Sequence, residues 1–429
     1  MTQVGEHIQN LQNILHKDAI GAGMYLPEFH HILDEIRLSL DKQDSDGAVI
    51  AIIRGALNLH ASDVHLELHE VDSSIRFRID GDLATVGELT TKEHNTVVER
   101  MKYRSNLKLN IHDVPQDGKF RFWKEGHDAQ IDVRLSVMPT RYGESVVCRI
   151  LDSSETVIQM DGLGIIGPQK DIITHALKKK QGMILVTGPT GSGKTTSLYT
   201  MIDALKNPED KIITLEDPIE YQIPGVLQSE INERNGYTFA MGVRSVLRHD
   251  PDIIMIGEIR DLDTANTAIQ AALTGHLVLS TLHTKSAFET LERLENMGVS
   301  AFDTAAALDV VISQRLVRRV CHHCSAREEI PTLPGDSVLL QRYGATEPLT
   351  QKWAGCDACG HTGYSGRMGI YEVLQITDDI REAIRNGKPD SDIHTLAIKN
   401  WFLSLTEDAR AKVLLGMTTQ EECEKNGIL

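Results

Sequence analysis

GMILVTGPTGSGKTTSLY, from Gly182 to Tyr199, is the stretch of sequence that decides the fold. Its early residues, Met183 to Val186, form a short apolar run that predicts a buried strand. The following residues, Gly188 to Thr195, spell G-x-x-x-x-G-K-T and lead into a helix-compatible sequence, which is the context of a phosphate-binding P-loop. The stretch therefore favours a nucleotide site over the alternative interpretation, a glycine-rich turn with a structural role.

Each residue type in this loop suits a part of a nucleotide. The glycines permit tight turns, so that successive N–H groups point at one phosphate, and the positive end of the following helix adds attraction. Lys194 is expected to reach the β and γ phosphates, Thr195 to bind Mg²⁺, and Thr196 to cap the helix or touch the α phosphate. The predicted nucleotide-binding residues are Gly188, Pro189, Thr190, Gly191, Ser192, Gly193, Lys194, Thr195 and Thr196.

Length and composition indicate a globular protein of several domains. The 429 residues are enough for two or three domains, and 41% apolar with 24% charged residues is the balance of a globular chain. Because no apolar run could cross a bilayer and no secretory signal is visible, we expect no transmembrane segment and a cytoplasmic location. A net charge of −17 would repel phosphates over most of the surface, which disfavours nucleic acid as a partner.

Residues 1–46 carry apolar positions at helical spacing and predict a short helical segment. A strand-rich region follows to residue 152, where apolar and polar residues alternate and Asp80-Gly81 signals a hairpin. Alternation around Arg134 places it on a polar strand face. Arg149 interrupts a strand of Val, Cys, Ile and Leu, and burial there would be costly without a partner anion. Spacing alone favours an ion pair within the same domain.

From Gly162 onward short apolar strands alternate with helices, which predicts a mainly parallel sheet. Four of these strands lead to the P-loop, Glu216, Glu258 and His283, and ligands bind beyond the carboxyl ends of such strands. Glu258 could polarise the attacking water or hold magnesium through a water, and Glu216 is the second candidate. The sequence pattern does not show which of Glu216 and Glu258 positions the water and which holds magnesium. His283 could donate a hydrogen bond to the γ phosphate, although a structural histidine is the alternative.

Two C-x-x-C units follow the predicted parallel-sheet region. Four thiolates match a tetrahedral zinc ion without an open position, which is a structural site. Four buried thiols without metal are the alternative, because the gap between the two units exceeds that of most zinc ribbons. The predicted zinc ligands are Cys321, Cys324, Cys356 and Cys359.

From about residue 50 to the end, these motifs resemble the hexameric ATPases of type II secretion and type IV pilus assembly, the GspE, PulE and PilB group. The resemblance rests on long segments in the same order. They are ASDVHLE at 61–67, RFRIDG at 76–81, PQDGKF at 115–120, VTGPTGSGKTTSLY at 186–199, TLEDPIEY at 214–221, VRSVLRHDPDIIMIGEIRD at 243–261, TGHLVLSTLHT at 274–284, QRLVRRVC at 314–321 and GYSGRMGIYEVL at 363–374.

The resemblance implies an α/β fold with a RecA-like P-loop NTPase domain, preceded by an α+β PAS-like domain and followed by a small zinc-binding module and C-terminal helices. The expected order is a short helical segment, the PAS-like domain, a linker, the RecA-like core, the tetracysteine module and the C-terminal helices. These parts cover residues 1–46, 47–152, 153–161, 162–315, 316–375 and 376–429.

The resemblance also implies residue roles. Glu216 falls on the key acid of the family's Asp box, Glu258 on its Walker B acid and His283 in its His box. The PAS-like domain of the family lends arginines to the ATP site, which implicates Arg134 and Arg149 in catalysis in place of an intradomain pair. A tetracysteine insertion is typical of assembly motors, and retraction motors usually lack it.

The implied function is that of a homohexameric ATPase at the cytoplasmic face of the bacterial inner membrane, with ATP, Mg²⁺ and Zn²⁺ as ligands. It would power a type IV pilus or a type II secretion pseudopilus by domain motion against an inner-membrane platform protein. Many family members dock a cytoplasmic adaptor through a large N-terminal domain, which about 46 residues are too few to hold. A pilus-retraction ATPase and an ATP-regulated scaffold without hydrolysis are the alternatives.

Overall fold

A computed structural model describes residues 27–123, 130–152, 158–327, 331–348, 351–353 and 355–429. Most of the predicted N-terminal helical segment and the first part of the predicted linker lie outside these residues. The chain divides into two compact units. The first comprises Met1–Glu155, Cys321–Cys324 and Trp353–Ser365, and the second comprises Thr156–Val320, Ser325–Lys352 and Gly366–Leu429.

The first unit is built from helices and one antiparallel sheet. Its elements are α1 (Pro27–Asp41), α2 (Ser45–Asn58), β1 (Ala61–Leu68), β2 (Asp72–Ile79), β3 (Asp82–Thr90), α3 (Thr91–Arg104), β4 (Gln116–Trp123), β5 (Gln130–Pro139) and β6 (Glu144–Asp152). The six strands lie in the order β3-β2-β1-β6-β5-β4. The predicted hairpin at Asp80-Gly81 is confirmed, because Ile79 pairs with Asp82 on either side of it.

Strand alternation decides which side chains of this sheet meet its core. In β2, for example, Ile75 and Phe77 are fully buried, whereas Arg76 and Arg78 between and beyond them are partly exposed. Apolar residues of all three helices cover the buried face of the sheet, and α1 contributes to this core together with α2. Helix α3 begins with a capping box formed by Thr90 and Glu93, which satisfies backbone groups of its first turn.

The second unit alternates strands and helices. Its elements up to residue 320 are α4 (Pro168–Leu177), β7 (Gly182–Thr187), α5 (Lys194–Leu205), β8 (Ile212–Glu216), β9 (Leu227–Glu230), α6 (Phe239–Val246), β10 (Ile253–Ile256), α7 (Leu262–Leu273), β11 (Leu277–Leu282), α8 (Ala287–Asn296), α9 (Ala301–Ala307) and β12 (Leu308–Val320).

The remaining elements follow β12 along the chain. They are β13 (Ser325–Arg327), α10 (Asp336–Arg342), β14 (Gln351–Trp353), β15 (Tyr364–Gln375), α11 (Asp378–Arg385), α12 (Asp390–Lys399), α13 (Leu405–Leu414) and α14 (Gln420–Lys425). Short 3₁₀ helices lie at Met160–Leu163, Glu233–Asn235, Leu247–His249 and Asp357–Cys359. None of the helices in the described part of the chain combines the length and the apolar content that crossing a membrane demands.

Seven strands form the central sheet of the second unit, in the order β15-β12-β7-β11-β10-β8-β9. The strand that leads to the P-loop, β7, is parallel to both β11 and β12, and β10 is parallel to β8 and β11. The predicted parallel sheet is thus confirmed. Because the carboxyl ends of parallel strands share one edge, the segments after β7, β8, β10 and β11 emerge together.

The apolar residues of β7 contribute to two hydrophobic cores. Met183 and Leu185 join a cluster on one face of the sheet, and Ile184 and Val186 join a cluster on the other face. Burial on both faces explains why this strand is continuously apolar and shows no alternation. Helix α8 begins with a capped first turn, since the Ser286 hydroxyl accepts from the N–H of Glu289 at 3.1 Å.

Candidate functional site

The P-loop joins β7 to α5, and its backbone needs glycine. Gly188, Gly191 and Gly193 have φ angles of +148°, +79° and +84°, which side-chain-bearing residues rarely adopt. A Cβ atom on Gly188 would lie 2.5 Å from the carbonyl oxygen of Gln314, so this position also lacks room for a side chain. The loop is therefore shaped by both backbone conformation and close packing.

Lys194 is the first residue of α5, and its side chain folds back over the loop. Its Nζ donates to the carbonyl oxygens of Gly188 at 2.9 Å and Pro189 at 3.1 Å. Burial lowers the pKa of Lys194, and the carboxylate of Glu258 opposes this effect. A cation held by neutral carbonyls inside a glycine loop suits a phosphate oxygen.

Two hydroxyl groups add to the polarity of this site. The Oγ1 of Thr187 and the Oγ of Ser192 are buried, and neither has a hydrogen-bond partner among the described residues. Buried polar atoms without partners are unusual, and each is a donor that a phosphate oxygen can satisfy. The loop therefore fits a nucleotide triphosphate. Thr195 is exposed in the first turn of α5, so its hydroxyl is accessible for the Mg²⁺ ion that normally accompanies such a ligand.

Glu216 ends strand β8 and is almost completely buried, with 3% of its surface exposed. Its Oε1 accepts from Thr214 Oγ1 at 2.5 Å and from Gln228 Nε2 at 3.0 Å. Its Oε2 accepts from the hydroxyl of Tyr199 on α5. Burial, and then the charge of Glu216, raise the pKa of Tyr199 and keep it a donor. The carboxylate is thus fixed by three donors and ties the P-loop helix to β8.

Glu258 follows β10 and lies in a more open environment, with 20% of its side chain exposed. Its Oε2 is 3.4 Å from Nε2 of His283, which follows β11. Its Oε1 accepts from Arg260, whose guanidinium also lies 3.3 Å from Oδ2 of Asp217. The structure therefore brings Glu258 and His283 together, and the electrostatic effect of Glu258 on Lys194 connects this pair to the P-loop.

His276 precedes β11 and therefore lies at the opposite edge of the sheet from His283. His276 donates through Nδ1 to the carbonyl oxygen of Ala271 at 2.9 Å, which satisfies a group at the end of α7. Tyr199, Gln228 and Arg260 were missed by the sequence analysis. Tyr199 lies five residues after Lys194 in the quoted stretch, but only the fold shows that its hydroxyl meets Glu216.

Arg134 and Arg149 lie on the first unit, in neighbouring strands β5 and β6, where they are directly opposite each other. Arg149 is 62% exposed, and its Nε donates to Oδ1 of Asp63 at 3.0 Å. Although its neighbours in sequence are apolar, alternation in β6 turns the Arg149 side chain away from the buried Cys148 and Ile150. The ion pair that spacing favoured is present.

This pair belongs to a longer row of charges that crosses the sheet. The register continues from Arg134 to Lys119 on β4, and from Arg149 through Asp63 to Arg78 on β2. Residues directly opposite one another point to the same face, and like charges in such positions destabilise a sheet. Four cations and one carboxylate in a row therefore form a surface that suits an anion. Lys119 and Arg78 were missed because strand register is not visible in the sequence.

The four predicted zinc ligands converge in the first unit. Their sulfur atoms all lie within 4.8 Å of one another, with Cys324 Sγ 3.7 Å and Cys356 Sγ 3.8 Å from Cys359 Sγ. A tetrahedron of thiolates around zinc has sulfur–sulfur edges of about 3.8 Å, from Zn–S bonds of about 2.3 Å. The cluster therefore fits a structural zinc ion.

Backbone donors around Cys359 support the thiolate form that zinc requires. The N–H groups of Cys356 and Gly363 lie 3.2 Å and 3.3 Å from its Sγ. Burial would raise the pKa of the Cys359 thiol, but these donors, together with the neighbouring thiols, lower it to about 7. Cys148 and Cys423, the two cysteines outside the cluster, are both buried.

Comparison with known proteins places these features in one group. The family described as Type II/IV secretion system protein matches residues 41–425. The type IV pilus assembly ATPase PilB of Thermus thermophilus is 41% identical over 390 residues, which cover 90% of this chain and 43% of the relative. The type II secretion system protein E of Aeromonas hydrophila is 40% identical over 403 residues, covering 92% of this chain and 79% of the relative.

The fold has matches among solved structures. The pilus retraction motor PilT with bound ADP superposes with a TM-score of 0.58 at 27% identity, covering 87% of this chain and 95% of that one. This likeness and the family match confirm the predicted RecA-like P-loop fold. The PAS-like assignment of residues 47–152 stays a prediction. The chain spans less than half the length of the Thermus relative, so it shares only part of that protein.

Proposed function

The chain belongs to the Type II/IV secretion system protein family, and from this premise we propose that it hydrolyses ATP to power the assembly of a type IV pilus or a type II secretion pseudopilus. The observation that carries the proposal is the grouping of Lys194, Glu258 and His283 at one edge of the parallel sheet. A triphosphate-binding loop beside an accessible carboxylate is the arrangement that hydrolysis needs.

Triphosphate binding is the task of the loop and of α5. The N–H groups of the loop and the positive end of α5 attract the phosphates, and Lys194 can exchange its carbonyl partners for phosphate oxygens. Thr195 would hold Mg²⁺, which neutralises charge on the phosphate oxygens when it is bound. Because the phosphoryl group is transferred with little covalent help, most of the catalysis comes from positioning and electrostatics.

Glu258 and Glu216 lie in different environments, and we assign them different roles on that basis. Glu258 is partly exposed and next to His283, so it is the residue that orients the attacking water and accepts its proton. Glu216 has its oxygens occupied by Tyr199, Thr214 and Gln228, so it positions α5 and the P-loop relative to β8. Arg260 holds one oxygen of Glu258 and leaves the other toward His283.

Arg134 and Arg149 take the catalytic role that the family resemblance implies, stabilising negative charge that develops on the γ phosphate. Their direct opposition in the sheet supports this proposal, since an anion relieves the repulsion between them. The Asp63 carboxylate fixes Arg149 in place without removing its exposure.

We further propose that the protein forms a homohexamer. The hexamer acts on an inner-membrane platform protein from the cytoplasmic side, and an adaptor is a further partner.

Retraction is the second candidate, because the retraction motor PilT has the same fold. The four-cysteine cluster favours assembly, following the family pattern described above. Deletion of the gene separates the two: loss of pili or of secretion supports assembly, and an excess of surface pili supports retraction. A rescue strain carrying the wild-type gene is the control.

A scaffold that binds ATP without turnover is the remaining alternative. Phosphate release by the purified chain, with and without detergent-solubilised platform protein, tests it directly. We expect basal release that the platform protein stimulates. ATP binding without phosphate release under both conditions would support the scaffold.

A further inference from the structure

Gln314 lies where β12 passes the P-loop. The last paired residues of β12 and β7 are Ser313 and Thr187, and Gln314 is the next residue along β12. Only 1% of its surface is exposed. A polar side chain buried this deeply needs partners for both ends of its amide group, and it finds them in the loop and in α5.

The amide of Gln314 bridges two parts of the nucleotide site. Its Nε2 donates to the carbonyl oxygen of Ser192 at 2.5 Å, and its Oε1 accepts from the Ser197 hydroxyl at 2.8 Å. Because the Ser192 carbonyl can only accept, Nε2 is the end of the amide that faces the loop, and the Ser197 hydroxyl holds the other end by donating to Oε1. The main chain is also close, as the Gln314 carbonyl explains why Gly188 has no room for a Cβ atom.

The hydrogen bond from Gln314 to the Ser192 carbonyl also sets the direction of the next N–H group, which belongs to Gly193. The peptide between Ser192 and Gly193 is planar and trans, so its C=O and N–H point in opposite directions. Holding the Ser192 carbonyl toward Gln314 turns the N–H of Gly193 away from Gln314. A rotated peptide would instead present a carbonyl oxygen where a phosphate oxygen must bind, and two acceptors repel.

We propose that Gln314 is a positioning residue for the triphosphate, which keeps the Ser192 carbonyl out of the phosphate site and the Gly193 N–H directed into it. This inference rests on the proposed ATP binding at the P-loop. It assigns a role in phosphate affinity to a residue on β12 outside the nucleotide motifs. The hydroxyl of Ser197 supports this role, because it donates to Oε1 and so restrains the other end of the amide.

The test compares full-length variants by calorimetric titration with ATP and with adenosine, which lacks phosphates. Gln314→Met preserves size but cannot hold the Ser192 carbonyl. Gln314→Glu keeps an acceptor for Ser197 and loses the donor to Ser192. Ser197→Ala leaves the donor but frees the amide to rotate. The control is Gln169→Met, because Gln169 is equally buried and donates to the carbonyl of Tyr371 at 2.8 Å.

We expect Gln314→Met and Gln314→Glu to raise the Kd for ATP about tenfold, and Ser197→Ala about threefold, the scale of one lost hydrogen bond. Adenosine binding should stay unchanged. KM should rise more than kcat falls, because the loss is in phosphate binding. Gln169→Met should lower the melting temperature while its Kd for ATP equals that of the wild type.

Wild-type affinity for ATP in Gln314→Met, or an equal loss of ATP and adenosine binding, would overturn the inference and leave Gln314 with a packing role. If Gln314→Met does not fold, Gln314→Glu and Ser197→Ala decide by the same criteria. Failure of the wild-type protein to bind ATP would instead refute the proposed function, so the two outcomes are distinct.

Discussion

Arg134 and Arg149 face each other directly across strands β5 and β6, and Asp63 lies opposite Arg149 on the next strand. Two guanidinium groups in this position repel, and the Asp63 carboxylate, 3.0 Å from Arg149 and 3.7 Å from Arg78, offsets part of the positive charge on this face. The opposed like charges lower the stability of the sheet and concentrate positive charge on one of its faces. Such local conflicts are expected at functional sites.

The arginine pair gives the first prediction. Arg134→Ala and Arg149→Ala should each lower kcat for ATP hydrolysis about a thousandfold or more, the lower end of the range known for arginines that stabilise phosphoryl transfer. Steady-state phosphate release is the measurement. The matched control is Arg54→Ala, which removes an arginine paired with Glu35 at the surface of the same unit. Equal kcat values in all three variants and the wild type would assign the row a role outside catalysis.

Glu216 and Glu258 should respond differently to substitution by glutamine. Glu258→Gln should reduce kcat about a hundredfold or more while ATP still binds, because an amide cannot accept the proton of the attacking water. Binding is followed by titration and turnover by phosphate release. A Glu258→Gln variant with wild-type turnover would remove Glu258 from catalysis.

Glu216→Gln should mainly destabilise the fold. The amide keeps an acceptor on one side only, so its NH2 group faces either Tyr199 or the pair Thr214 and Gln228. At least one buried donor then lacks an acceptor, which costs about 1–3 kcal/mol. Urea unfolding of the full chain measures the change in the free energy of unfolding, with Glu258→Gln as the control. Unchanged stability would show that these contacts do not hold α5 against β8.

The cysteine cluster should contain one zinc ion per chain. Cys359→Ser should lose the metal and lower the melting temperature, because a structural zinc site contributes directly to folding. Elemental analysis and thermal unfolding are the measurements, and Cys148→Ala, a buried cysteine outside the cluster, should keep the metal. Purified wild-type protein without zinc, and without a thermal response to a chelator, would favour four packed thiols.

An acid-sensitive ion pair joins α2 to α3. Hydrogen bonds from Arg104 lower the pKa of Asp46 to about 2, against the effect of burial and with further help from Arg100. The unfolded-state pKa is about 3.9, so the pair adds stability above that pH, and this stability is lost as pH falls through about 2. Asp46→Asn should therefore cost more stability at pH 6 than at pH 3, measured by urea unfolding. A pH-independent difference would show that the pair adds nothing.

Local signals in the sequence predicted a large part of this structure. The P-loop, the strand ends at Glu216 and Glu258, and the four-cysteine cluster are each encoded within short segments. The helix Ser45–Asn58 was missed because its apolar residues form a nearly continuous run, which gives no clear period. The sequence analysis also did not identify β12 as a strand of 13 residues.

Contacts between segments that are distant in the sequence were harder to predict than the local motifs of the site. Gln314 lies over a hundred residues from Ser192, and Lys119 meets Arg134 only through strand register. The sequence neighbours of Arg149 are apolar, yet alternation in an antiparallel strand exposes its side chain. Such relationships depend on the fold, which residue spacing does not specify.

ATP hydrolysis by the purified wild-type chain and by Lys194→Ala tests the central claim most directly. Lys180→Ala is the control, because Lys180 pairs with Asp210 and its side chain is 80% exposed. We predict phosphate release by the wild type and by Lys180→Ala, and loss of release in a folded Lys194→Ala variant. Equal phosphate release by Lys194→Ala and the wild type would contradict the assignment of the P-loop as the site of hydrolysis.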